Sequence, residues 1–151
     1  MNLVEDRNKS KSPSEGGATN KSLPRDLVSE IWFELVEEIK RLSVKKPYET
    51  DIVRTAIKAS DLKNLMKKHP LCFDLEERQN DSPTFGDFIT LANDDDILEI
   101  YVVLPPRLDT RVNIEGIITT QEIAQKLRKL AFNPPDVWEI LEDGRVYMWW
   151  D

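Results

Sequence analysis

Residues able to do chemistry are few in this chain. It holds one histidine and one cysteine, three apart in His69-Pro70-Leu71-Cys72. An imidazole beside a thiol can draw off its proton, giving the thiolate that attacks carbonyls or binds metal. Pro70 interrupts the backbone between the two, however, and His69 follows Lys67 and Lys68 at the end of a predicted helix. A cationic helix C-terminus and a buried, inert thiol account for both residues more simply.

Asp94-Asp95-Asp96 supplies the oxygen ligands that Mg²⁺ and Ca²⁺ prefer. It lacks the D-x-[DN]-x-[DN]-G spacing of a calcium loop, and three successive side chains in a turn diverge, so a solvated turn is expected. Glu99 interrupts an otherwise apolar strand. With Asp87 on the strand predicted next to it, Glu99 could form a two-carboxylate metal site of nuclease type. The triplet Glu99-Ile100-Tyr101 lacks the lysine such sites carry, and pairing of Glu99 with a Lys or Arg is the simpler expectation. The five glycines form no phosphate loop, and no C-x-x-C or H-x-x-x-H occurs. Catalysis needs a positioned base, nucleophile or metal. None is legible, so the chain reads as a non-enzyme with no implied cofactor or metal.

The elements that would position these residues can be read from periodicity. Leu27, Val28, Ile31, Trp32, Leu35, Val36, Ile39 and Leu42 recur at three- and four-residue spacing, which predicts an amphipathic helix starting near Pro24. Residues 52–59 predict a short strand. Ser60 predicts the cap of a helix over 61–69 that Pro70 stops. Residues 85–92 and 97–104 predict two strands joined by the acidic turn, the second central because both its faces are apolar except at Glu99. Residues 112–118 predict a further strand. Thr119 or Thr120 would then cap a helix over 121–130. The stretches 57–69 and 118–130 share a strand, cap and helix order, a weak internal echo.

The C-terminus is the clearest element. Residues 137–142 and 145–150 are β-formers around Asp143-Gly144, the strongest short hairpin signal. A two-residue type I′ turn would set Trp138 opposite Trp149 and Ile140 opposite Tyr147, with Trp150 left on the exposed side.

At 151 residues the chain suits one domain. The expectation is an α+β fold: a mostly antiparallel sheet of four to six strands, about three helices packed on it, and a C-terminal hairpin. Residues 1–22 are polar and predict a disordered tail; residues 23–151 form the domain. A lone cysteine allows no internal disulfide and favours a reducing, cytoplasmic location. Apolar runs are too short to span a membrane, and the first residues lack the apolar stretch of a secretory signal.

Net charge is −7, which argues against general nucleic-acid affinity. The charge is uneven: residues 40–68 carry nine basic against three acidic residues, and 74–99 carry nine acidic residues and only Arg78. The preferred function is therefore a protein–protein interaction or regulatory module. Its candidate partner-binding residues are Trp150, Trp149 and Tyr147 on the hairpin and Lys63, Lys67 and Lys68 on the basic segment. The alternative is a nucleic-acid-binding regulator using residues 40–68, with 117–150 resembling the second half of a winged helix. In that resemblance 134–141 would be the reading helix and the last strand the wing. The reading position offers Asp136, Glu139 and Glu142 rather than donors for bases and phosphates. A carboxylate metal-dependent enzyme around Asp87 and Glu99 is the weaker third.

Overall fold

The computed structural model describes residues 25–151; the expected tail of residues 1–22 lies outside them. The chain divides into two units, with the boundary between Ile31 and Trp32. The described part of the first is the opening of helix α1 (Arg25–Leu42). The second carries the rest of α1, then β1 (Tyr48–Glu49), β2 (Ile52–Lys58), α2 (Ala59–Lys68), a 3-10 turn (Pro70–Cys72), α3 (Phe85–Leu91), β3 (Ile97–Val103), β4 (Arg111–Thr119), α4 (Gln121–Leu130), β5 (Val137–Ile140) and β6 (Val146–Trp149). Six strands form one sheet in the order β1-β2-β3-β4-β6-β5, every neighbouring pair antiparallel. The fold is α+β and ends in a β-hairpin.

Register separates the two faces of the sheet, because paired residues share a face and successive residues alternate. Val53 and Ile57 pair with Val102 and Leu98; Leu98, Ile100 and Val102 pair with Ile117, Ile114 and Val112; Ile117 pairs with Met148. All of these are buried, as are Leu35 and Ile39 of α1, Leu62 of α2, Phe88 of α3 and Leu127 of α4. This face is the core. The opposite face carries Arg54, Lys58, Glu99, Tyr101, Arg111, Asn113, Tyr147 and Trp149. Between Glu99 and Ile100 the β3–β4 register shifts by one. Glu115 is the extra residue, a bulge in the centre of the sheet.

Three local expectations are corrected. Residues 85–91 form helix α3, not a strand. Thr84 Oγ1 accepts from the Asp87 amide and the Asp87 carboxylate accepts from the Thr84 amide, a reciprocal cap that fixes the first turn. Ser60 does not cap α2: the helix starts two residues earlier than expected, straight out of β2, and Lys58 at the cap position makes no side-chain bond. The Ala59 and Ser60 amides instead donate to the carbonyls of Asp96 and Asp94, at 2.8 and 3.0 Å. The acidic turn is thus the cap. Only part of it is solvated, because Asp96 is buried and accepts from the Asn93 amide and the Thr119 hydroxyl.

The third correction is the hairpin register. Val137 pairs with Trp149, Trp138 with Met148, Glu139 with Tyr147 and Ile140 with Val146. The Leu141 amide donates to the Arg145 carbonyl, and the Gly144 amide donates back to the Leu141 carbonyl. The loop is therefore three residues long, a turn closed by Gly144 at φ +88°. Asp143 stays at negative φ and uses its carboxylate to accept from the Arg145 amide and Nε. One extra loop residue shifts every pairing by one and exchanges the faces of β5.

Candidate functional site

The register shift decides which aromatic groups are available. Trp150, expected to be exposed, is 2 % exposed; it stacks edge-on against Phe88 at 6.0 Å between ring centres and donates from Nε1 to the Asn133 carbonyl. Trp149 and Tyr147 are half-buried on the non-core face. Trp138 is 38 % and Ile140 61 % exposed, although both lie on the core face of the sheet. α4 makes its sheet contacts over β6, one strand in from β5. Sequence reading put the surplus aromatic one strand away from where it lies.

β5 ends the sheet order, so one side of its backbone is open among the described residues. Hydrogen bonding alternates along an antiparallel ladder. Because the Leu141 amide bonds Arg145, Glu139 and Val137 turn their backbone groups toward β6. Trp138 and Ile140 therefore turn theirs to the open edge. The same two residues present both the free amides and carbonyls and the exposed apolar side chains. On the other face of the strand stand half-buried Val137 and exposed Glu139, while the exposed carboxylates of Asp136 and Glu142 lie just beyond its two ends.

The polar face of the sheet is internally neutralised. The Arg54 guanidinium donates to both carboxylate oxygens of Glu115 at 2.8 and 2.9 Å, and lies over the Tyr101 ring. Tyr101 Oη donates to Gln79 and accepts from Asn113. Glu99 pairs with Lys45 at 3.0 Å, as its sequence setting suggested, and accepts from the Tyr147 hydroxyl at 2.6 Å. Burial first, then the Glu99 carboxylate, raises the Tyr147 hydroxyl well above its ordinary range. Gly116 makes room for this contact: a Cβ there would lie 2.9 Å from Glu99 Oε1. Asp87 takes no part in it, since its carboxylate caps α3. The two-carboxylate site is therefore not assembled.

Lys63 donates to the Ala92 carbonyl and reaches Asp94, and Lys68 pairs with Glu38, while Lys67 is exposed. The segment proposed as a reading helix is β5. Cys72 is buried, and desolvation pushes its thiol up to about 12. His69 does not face it; its Nε2 lies 2.7 Å from Glu38 Oε2. Sequence reading missed Glu38, because it sits beside Glu34 and Glu37 among the polar positions of an amphipathic helix, where nothing in the pattern singles it out. Comparison with known proteins finds no family model, no curated protein and no solved structure that matches the chain.

Proposed function

We propose that this chain is a binding module that takes an extended segment of a partner protein as a further strand against β5. The observation that carries the reading is the coincidence, on Trp138 and Ile140, of open backbone groups and exposed apolar side chains. Natural sheets blunt their edges with charge, proline or a covering element. This edge keeps its apolar pair on the helix side. Strand addition draws affinity from main-chain hydrogen bonds and selectivity from alternate side chains.

That alternation defines the occupant. Side chains facing the helix side meet Trp138 and Ile140, so they are apolar. Those facing the other side meet Glu139, so the one laid against it is basic, and Asp136 and Glu142 just beyond the two ends of β5 add to the negative charge there. The partner is an extended segment of alternating apolar and basic residues, bound transiently because β5 is only four residues long.

Selection of a displayed short-peptide library against the full chain tests this. Peptides with the apolar–basic alternation are expected. They should protect the Trp138 and Ile140 amides from hydrogen exchange, and Ile140→Pro should abolish binding without unfolding the chain. Selected peptides that lack the alternation and leave residues 137–140 unperturbed overturn it.

A further inference from the structure

Among the described residues, side chains able to ligate a metal converge in a group of three at one place, where the end of α2 meets α1. We propose that Glu34, Glu38 and His69 form a binding site for a divalent transition-metal ion of the zinc class. Their donor atoms all lie within 4.8 Å of one another. Glu34 and Glu38 are four residues apart on α1, the spacing that stacks two side chains on one face. His69 is the C-cap of α2, its backbone held by the Leu65 carbonyl before it and the 3-10 turn after it. Both Glu38 and His69 are 8 % exposed, while Glu34 opens to solvent.

Orientation and charge suit a dication. The Lys68 ammonium donates to Glu38 Oε1 at 2.8 Å, which leaves Oε2 turned to His69 Nε2. Hydrogen bonds of this kind, from behind a ligand, fix its orientation in metal centres. Two carboxylates against one ammonium leave the group net negative, and like charges four residues apart repel. One imidazole nitrogen with two carboxylate oxygens is a donor set for zinc and its neighbours; an all-oxygen set would suit magnesium or calcium. Three protein donors leave a position for water or a further ligand. Cys72 is not one of the converging groups.

Isothermal titration of the full metal-free chain with zinc chloride tests the site. One saturable equivalent is expected. Glu34→Gln should weaken it by more than about tenfold, since loss of even an outer partner of a metal ligand costs that much. Its side chain is exposed and its charge repels that of Glu38, so the variant's metal-free melting temperature should hold or rise slightly. His69→Gln should abolish binding; if that variant does not fold, Glu34→Gln decides alone. Absence of saturable binding, or wild-type affinity in Glu34→Gln, overturns the proposal and leaves Glu38 and His69 as a hydrogen-bonded pair between two helices.

Discussion

At the scale of single residues, the tryptophans separate structural from surface roles. Trp150 fills the core against Phe88 and satisfies the Asn133 carbonyl. Trp150→Ala should cost about 3–5 kcal/mol, from lost transfer and the cavity left behind. Trp138→Ala should cost less, about 1–2 kcal/mol, because more than a third of that residue is already in water. Denaturant melts of the two variants check the order; a Trp138→Ala loss larger than that of Trp150→Ala would reverse the faces. Cys72 gives a second test. Its thiol rises from an ordinary 9.0 to about 12, so between those values the unfolded chain releases a proton that the folded one keeps. Stability therefore falls as pH rises through that window. Native alkylation at pH 8 should be slow, and Cys72→Ala should flatten the alkaline limb of the stability curve. A Cys72 that reacts with iodoacetamide as fast as a free thiol would show that it is open to solvent.

At the scale of elements, the sequence is most legible where one signal acts alone. The period of α1, the apolar β3 and the Thr120 cap of α4 are all found where local pattern places them. Residues 85–91 were misread because Phe85, Phe88 and Ile89 suit either element. The deciding signal is the Thr84–Asp87 cap, a local pairing that hydrophobic pattern does not carry. The hairpin was found, but its register was not. Asp-Gly fits a two-residue turn and a three-residue turn with glycine last, and pattern alone does not choose. The polar face of the sheet was opaque for another reason: Arg54 and Glu115 meet across β3, and no periodicity announces a partner so distant in sequence. Two glycines separate strain from crowding. Gly144 has open space but positive φ, so Gly144→Val should cost about 1–2 kcal/mol in backbone strain. Gly116 lacks room: a Cβ would lie 2.8 Å from the Met148 carbonyl oxygen. Gly116→Ala should therefore cost more than Gly144→Val and disturb the Tyr147–Glu99 bond. Equal midpoints in denaturant would contradict this packing of β4 on β6.

At the scale of the molecule, charges that look segregated along the chain are interleaved in space. Lys40 meets Glu37 and Glu49, Lys45 meets Glu99, Arg54 meets Glu115, Lys63 meets Asp94 and Lys68 meets Glu38. Phosphate binding needs a row of cations whose counterions can be released. Here many of the cations of residues 40–68 are already neutralised by the protein's own carboxylates. Mobility-shift titration with duplex DNA at physiological salt should show no complex. A salt-sensitive shift abolished by Lys67→Glu with Lys68→Glu would restore the nucleic-acid reading. No helix among the described residues is long and apolar enough to cross a membrane.

The unequal depth of the four tryptophans has an optical consequence. Trp32 and Trp150 are buried, Trp149 is half-buried, and Trp138 is the most exposed of the four. A small neutral quencher such as acrylamide will reach Trp138 first, and the long-wavelength edge of the emission will come chiefly from that indole. A strand laid along β5 would shield it and shift the emission to the blue, while the three deeper rings stay constant as an internal standard. The unlabelled protein thus carries its own reporter at the edge where the partner is expected to dock.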